Sequence, residues 1–163
     1  MREYDDKDLE QVVSLMIDFQ NYIASIDSKM IAKPFDNSAD CQKYIQQLIK
    51  DAKEREGVLF VALNGNTIIG FIQGVIDRHK EDVIYTLSHR AGDHGWIGEL
   101  YVNAMYRGQG IAKQLVEKIS AYFKERGCDN VRLNAMAENK TALIAYKKMG
   151  FELRNVELVK YSL

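Results

Sequence analysis

Residues 58–77, VLFVALNGNTIIGFIQGVID, restrict the fold more than any other part of the sequence. Two apolar runs rich in β-branched and aromatic residues flank the pair Asn64–Gly65, and both of these residues tolerate positive φ. The pattern therefore predicts two antiparallel strands joined by a tight type I′ hairpin. A hairpin of this kind requires other elements to cover its apolar faces.

Helical periodicity precedes the hairpin. Residues 9–19 repeat apolar side chains at helical spacing, and Asp5 or Asp6 is placed to cap this first helix. Residues 41–52 predict a second helix, with Asn37 or Ser38 as its cap and Gly57 as its stop. The link between the two helices contains the only proline, Pro34, which should end any helix near Lys33.

Strands and helices alternate after the hairpin. The polar residues 78–95 predict a loop or a short extra strand. The later segments predict, in order, a strand at 96–102, a helix at 110–127, a strand at 129–137, a helix at 139–150, and one or two final strands at 151–163. The order is β-α-α-β-β-β-α-β-α-β, with room for one more strand. We therefore expect an α/β (α+β) fold in which helices flank both faces of a mixed, mostly antiparallel sheet, as one domain over residues 1–163.

The composition excludes several function classes. The formal net charge of −1 gives no general affinity for nucleic acid. No apolar run approaches the ~20 residues of a membrane span, and the polar start MREYDDKDLE does not resemble a secretion signal. Cys41 and Cys128 are far apart and form no metal-binding spacing, which favours a reducing compartment. We expect a cytoplasmic protein without a metal.

The stretch YRGQGIAKQL, which begins at Tyr106, places Arg107, Gly108 and Gly110 directly before a helix. Helix N-termini present unpaired N–H groups and a partial positive charge, so they bind phosphate readily. Glycines let a ligand approach the main chain, and an arginine can add hydrogen bonds to phosphate. The segment has the parts of a pyrophosphate cradle, and it also suits a plain strand-to-helix turn.

A second motif follows in ENKTALIAYKKMGFE, which contains Asn139, Ala142, Tyr146 and Gly150–Phe151. Together with LYVNAMYRGQGIAKQL, it resembles the GCN5-related N-acetyltransferase (GNAT) superfamily. Arg107, Gly110 and Ala112 match the Arg/Gln-x-x-Gly-x-Gly/Ala signature of that superfamily. The resemblance is clear from Trp96 to Phe151 and weaker before it.

The resemblance implies an enzyme that transfers an acetyl group from acetyl-CoA directly to a primary amine. The acceptor would be a small metabolite, an antibiotic amine or a protein amine, and a homodimer is an open expectation. The alternative is a binding module that senses acyl-CoA without turnover. The cofactor-binding residues implied by the resemblance are Leu100, Tyr101, Val102, Arg107, Gly108, Gln109, Gly110, Ile111, Ala112, Asn139 and Tyr146.

Tyr146 and Glu99 are the catalytic residues that the resemblance implies. Tyr146 would act as the general acid for the leaving thiolate; without the resemblance it reads as a core aromatic. Glu99 would accept the proton of the amine, or it is a solvated or substrate-binding carboxylate. His94 is an alternative base because imidazole titrates near neutral pH. The N–H of Val102 would stabilise the thioester oxygen as it gains charge.

Two further residues have roles that remain open. Tyr101 is expected on the same strand face as Glu99, where it would position the substrate. Asn139 can cap the following helix, and in relatives the matching asparagine also contacts the pantetheine arm. Both functions of Asn139 can hold through different atoms. The acceptor side is expected to come from the first two helices, the link between them and the loop before Trp96.

Overall fold

The computed structural model of the protein describes residues 1–29, 31–35, 37–78 and 92–160. Its five strands form one sheet in sequence order. They are β1 (Arg2–Glu3), β2 (Val58–Asn64), β3 (Thr67–Asp77), β4 (His94–Val102) and β5 (Asn130–Leu133). Neighbouring strands are antiparallel from β1 to β4, whereas β5 is parallel to β4. The expected mixed, mostly antiparallel sheet is confirmed.

Helices cover both faces of this sheet, as predicted. They are α1 (Leu9–Ile26), α2 (Ser38–Glu54), α3 (Ile111–Glu125) and α4 (Lys140–Lys148), with short 3-10 turns at Asp6–Asp8 and Ala104–Tyr106. On one face, α1 and α2 bury Val12, Met16, Cys41 and Ile45 against the strands. On the other face, α3 buries Leu115, Ile119 and Phe123. Each face therefore has its own apolar core.

The predicted cap of α2 is confirmed, but the cap of α1 and the stop of α2 differ: Asp8 is the N-cap of α1 and makes no side-chain capping hydrogen bond. Asp5 caps the 3-10 turn that leads into α1, and the Asn37 side chain accepts a hydrogen bond from the N–H of Asp40 at 2.9 Å. After α2 it is Glu56, with φ of 48°, that adopts the left-handed conformation. Gly57 is required for another reason: a Cβ there would overlap the carbonyl oxygen of Gly74.

The hairpin between β2 and β3 forms with a different turn from the one expected. Asn64 pairs with Thr67, so the two loop residues are Gly65 and Asn66. Gly65 has φ of 59°, and Asn66 does not share this positive φ. One positive φ at the first loop position is typical of type II′ turns, whereas type I′ needs two. The predicted hairpin is confirmed, but both details of its turn were wrong: the loop lies one residue further along the chain, and the turn is not type I′.

The final strands predicted at 151–163 do not form over residues 151–160, which have no regular structure. Side chains in this tail that would face a core are exposed instead, among them Leu153, Val156 and Leu158. An alternating apolar pattern makes a strand only where a partner edge is available. The predicted strand at 129–137 is likewise shorter, because β5 ends at Leu133.

The polar segment 78–95 was predicted as a loop or extra strand, and residues 79–91 of it, including His79 and His89, lie outside the described residues. The segment's last two residues, His94 and Gly95, begin β4. Within the described ranges, no helix combines the length and apolar character that crossing a bilayer would require.

Close packing at Gly57 gives a direct stability test. Gly57→Ala should lower the free energy of unfolding by about 1–3 kcal/mol, since the added methyl group meets the main chain of β3. Gly65→Asn is the matched control, because nothing lies within 4 Å of a Cβ there and asparagine tolerates positive φ. Urea unfolding followed by circular dichroism measures both. Equal stability of Gly57→Ala and wild type would contradict this packing.

Candidate functional site

An opening between β4 and β5 is the main feature of the site. Gly74 pairs with Ile97 and Gln73 pairs with Glu99, so Gly98 is an extra residue that bulges from β4. The pairing of β4 with β5 ends at Ile97 and Leu133, directly before this bulge. Bulges bend a strand and increase its twist. The second half of β4 therefore has β3 on one side and, within the part of the chain that the structure describes, no strand on the other.

Main-chain groups of β4 point into this opening. The N–H of Asn103 donates to the carbonyl oxygen of Ile69 at 2.9 Å. Bonded and non-bonded pairs alternate along an antiparallel ladder. The N–H and C=O groups of Leu100 and Val102 consequently point away from β3, to the side of β4 where the pairing with β5 has ended. The N–H and C=O of Leu100 and the N–H of Val102 can pair with an extended ligand as a strand would, whereas the C=O of Val102 accepts a hydrogen bond from Nε of Arg107.

The turn between β4 and α3 lies at one end of the opening. Gly108 and Gly110 have φ of 78° and 79°, and Gly110 is the N-cap of α3. A Cβ at either glycine would meet nothing within 4 Å. The first turn of α3 contains no acidic residue. The glycines thus serve the backbone conformation and also leave the positive end of a helix open to an anion.

Arg107 does not extend freely beside this turn. Its Nε donates to the carbonyl oxygen of Val102 at 3.0 Å. Its guanidinium carbon lies 5.1 Å from the ring centre of Tyr22 and 5.5 Å from that of Tyr101, which is cation–π geometry. The Arg107 side chain therefore holds the glycine turn against β4, and its terminal nitrogens carry the positive charge at the mouth of the opening.

Glu99 lies on the face of β4 that α1 and α2 cover. The hydroxyl of Tyr44, from α2, donates a short hydrogen bond to Oε1 of Glu99. Burial raises the pKa of the Glu99 carboxyl above its ordinary value, and the Tyr44 hydrogen bond opposes part of that rise. A carboxyl with a raised pKa inside an opening is typical of general bases and acids.

Tyr146 approaches the same carboxyl from α4. Burial raises the pKa of its hydroxyl, and the negative charge of Glu99 raises it further. Its ring packs edge-on against Phe151, with 5.7 Å between ring centres. The half-buried side chain keeps its proton at neutral pH, which suits a proton donor.

Two other predicted residues are fixed by their contacts. The Asn139 side chain accepts a hydrogen bond from the N–H of Ala142 at 3.1 Å, so it caps α4 as expected. The same oxygen accepts a hydrogen bond from the Tyr22 hydroxyl at 3.1 Å, which ties α1 to the start of α4. The Tyr101 side chain is only 7% exposed and packs against Phe19, which leaves little of its ring for a substrate.

A cavity of about 400 Å³ lies on the other side of Tyr44. It is lined by Gln20, Lys33, Pro34, Phe35, Asp40 and Tyr44. The carboxylate of Asp27 accepts hydrogen bonds from three main-chain N–H groups, those of Lys29, Ile31 and Ala32. This capping fixes the start of the link that carries Phe35 to the cavity.

His94, the alternative base, lies at the start of β4 and is separated from Glu99. It begins β4, five residues before Glu99, which is about 16 Å along a strand. Its Nε2 lies 3.3 Å from Oδ2 of Asp77, and burial lowers its pKa. His94 as the alternative base stays a prediction, which this separation disfavours because Glu99 lies in the second half of β4. Among the described residues, no group of three His, Cys, Asp or Glu side chains could hold a metal ion.

The contacts of Glu99 with Tyr44 and of Asn139 with Tyr22 were not anticipated. Tyr44 belongs to a regular apolar stripe on α2, so its spacing indicates only a core position. The two contacts span 55 and 117 residues of sequence. Periodicity along a helix contains no information on such distant pairs.

Comparison with known proteins gives a consistent result. The profile of the Acetyltransferase (GNAT) family matches residues 24–151. The N-alpha-acetyltransferase MAK3 of Arabidopsis thaliana is 39% identical over 90 residues, which are 52% of this chain and 47% of that protein. The chain spans less than half the length of this relative and of the next two that it matches.

Solved structures resemble the whole chain. A transcriptional regulator from Bacillus halodurans C-125 aligns with a TM-score of 0.74 at 25% identity, over 99% of this chain and 97% of its own. AAC(6')-Iy, in complex with the bisubstrate analogue CoA-S-monomethyl-acetylneamine, aligns with a TM-score of 0.66 at 19% identity, over 99% and 97%. At 19% identity, the similarity to AAC(6')-Iy shows that the two proteins have the same fold.

The raised pKa of Glu99 has a consequence for stability. A carboxyl whose pKa is higher in the folded state than in the unfolded state binds more protons when folded, so stability falls as pH rises between the two values. Glu99→Gln should therefore unfold at higher urea concentration than wild type at pH 7. The difference should vanish below the unfolded value of about 4.3. A Glu99→Gln variant that is less stable at pH 7 would contradict the burial of this charge.

Proposed function

Because the chain belongs to the GNAT acetyltransferase family, we propose that it transfers an acetyl group from acetyl-CoA to a primary amine. The observation that carries this proposal is the unpaired second half of β4 next to the open glycine turn at the start of α3. Together they offer main-chain donors for an extended arm and a positive helix end for its phosphates.

The acyl donor is assigned to residues on both sides of that turn. N–H groups of residues 108–112, which lead into α3, would hold the pyrophosphate, and the positive charge of Arg107 lies beside them, while the N–H of Arg107 donates to the carbonyl oxygen of Ala104. The main-chain N–H and C=O of Leu100 would pair with the pantetheine arm. Bound acetyl-CoA supplies an activated thioester. The outward-facing N–H of Val102 is the donor that would stabilise its oxygen as negative charge develops.

Glu99 and Tyr146 have complementary parts in this proposal. An alkyl amine is protonated at neutral pH and attacks only after losing a proton. Glu99, ionised and half-buried, would accept that proton, and Tyr146 would donate one to the departing thiolate. The raised pKa of Glu99 makes its carboxylate a better proton acceptor, and the raised pKa of Tyr146 keeps its hydroxyl protonated until the thiolate departs, while making it a weaker acid.

The acceptor would enter from the side of α1 and α2. The cavity lined by Phe35 and Tyr44 is connected to Glu99 through the Tyr44 hydrogen bond, and it has one lysine and one aspartate, Lys33 and Asp40, among its lining residues. This balance does not select a highly charged acceptor. A protein or peptide amine, as the name of the Arabidopsis relative indicates for that protein, and a small amine such as an aminoglycoside therefore both belong in the acceptor panel.

We also propose that the chain forms a homodimer and works in the cytoplasm. Among the described residues, the outer edge of β5 has no partner strand, and beside it lies a groove of about 410 Å³ with Val131 and Phe151 among its lining residues. The tail of a second copy, with exposed Val156 and Leu158, could pair with this edge. The cysteines are free thiols, which suits a reducing compartment.

Release of coenzyme A thiol over a panel of amines tests the enzyme, and two variants separate binding from turnover. Gly110→Glu should abolish acetyl-CoA binding in calorimetry, because its carboxylate opposes the phosphates. Tyr146→Phe should lose about a hundredfold in kcat and should lower the affinity for acetyl-CoA much less than that. Gln114→Glu, one turn further along α3, adds the same charge outside the turn and is the control for Gly110→Glu.

The outcomes distinguish the readings. Binding without thiol release for any amine tried would make the chain an acyl-CoA sensor. Unchanged affinity of Gly110→Glu would remove the glycine turn from the cofactor site. An unaffected kcat for Tyr146→Phe would mean that water or another group protonates the thiolate.

The mass of the purified chain in sedimentation equilibrium tests the dimer. We expect twice the mass of 18.7 kDa for wild type. The double substitution Val156→Lys and Leu158→Lys should give the monomer mass, since a charged tail cannot cover the apolar groove. A monomeric wild type would overturn this part of the proposal.

A further inference from the structure

The hydrogen bond between Tyr44 and Glu99 joins helix α2 to the reacting part of β4. Tyr44 is anchored by its helix, because the neighbouring Cys41 and Ile45 are 0% and 1% exposed. Its ring also packs on Phe35, with 5.5 Å between ring centres. The packing of α2, the contact with Phe35 and the hydrogen bond to Glu99 together restrict the Tyr44 side chain, so its hydroxyl is held as a hydrogen-bond donor to Glu99.

We propose that Tyr44 is the positioning residue for the base Glu99, holding one carboxylate oxygen so that the other faces the incoming amine. This inference rests on the proposed function. Tyr44 acts through Glu99 and transfers no proton itself. Its ring is also part of the lining of the cavity that contains Phe35, so Tyr44 contacts both this cavity and the Glu99 carboxyl.

Hydrogen-bond chemistry explains why a tyrosine suits this place. The phenol keeps its proton, since burial and the neighbouring Glu99 charge both raise its pKa. A donor that never ionises under working conditions favours the charged form of its partner at every pH. Without it, the half-buried carboxyl would be protonated over a wider pH range and free to rotate.

Other groups around Glu99 do not replace this donor. Tyr146 approaches from α4, and it is coupled to Glu99 by charge. Gln73, the partner of Glu99 on β3, is neutral. Arg107 lies over Tyr101 and binds the carbonyl oxygen of Val102. In the part of the chain that the structure describes, Tyr44 is the side chain that donates to the Glu99 carboxylate.

Tyr44→Phe is the sharpest test, because it removes one oxygen and keeps the ring on Phe35. The acidic limb of the kcat/KM profile should move to higher pH by about one unit, since the hydrogen bond that favours the carboxylate is lost. At pH 7 and above, kcat should fall about tenfold, because the carboxylate is no longer oriented. The KM for acetyl-CoA should not change.

Matched variants make the result specific. Phe35→Leu removes the ring contact and keeps the hydroxyl, so its acidic limb should stay at the wild-type pH. In a Glu99→Gln background, Tyr44→Phe should cause no further loss of kcat, because the two residues act as one unit. Circular dichroism and acetyl-CoA affinity establish that each variant is folded.

Failure of this inference differs from failure of the base assignment. If Glu99→Gln removes the acidic limb while Tyr44→Phe leaves it unmoved, the positioning role is overturned and Glu99 remains the base. If Tyr44→Phe moves the limb only as much as Phe35→Leu, the effect comes from packing and the inference is also overturned. If Glu99→Gln keeps the limb, the base assignment itself fails and the inference falls with it.

Discussion

The fold of this protein depends on an interruption in its own sheet. One extra residue, Gly98, bends β4 at the point where β5 ends, and the polypeptide therefore exposes unpaired main-chain groups inside an otherwise hydrogen-bonded sheet. Unpaired amides are costly when they are buried, so an opening of this kind persists only where water or a ligand can reach it. The two apolar cores on either face hold the rest of the sheet together and keep this opening from closing.

The charges around the opening are arranged along its length. At one end, the start of α3 offers a positive helix terminus with two glycines and the guanidinium of Arg107 nearby. Further along, Glu99 is kept in a half-buried position where ionisation is costly. Burial of an ionised carboxylate destabilises the folded state, and such destabilising groups occur mainly at functional sites. Stable packing in the rest of the protein offsets this loss of stability. An anionic cofactor would therefore face the positive end of the opening at the start of α3. A cationic acceptor would face the carboxylate of Glu99 from the other side.

Local features of the fold could be predicted from the sequence, and distant ones could not. Asn37 and the glycines at 108 and 110 indicate a cap and a turn because their conformational preferences are intrinsic. The turn type after Asn64 was missed because neighbouring residues compete for the same two loop positions. The strand pattern at 151–160 is present, but its pairing depends on an edge that sequence alone does not place. Tyr44 could not be linked to Glu99, since that contact joins two elements 55 residues apart.

A titration of isotopically labelled protein with coenzyme A, followed by amide chemical shifts, tests the central claim most directly. The account predicts that the largest shifts occur at the outward-facing amides of Leu100 and Val102 and at residues 107–112, with little change in β1 and β2. Shifts confined to other elements, or no shifts at all in folded protein, would contradict the claim that the unpaired half of β4 is the ligand site.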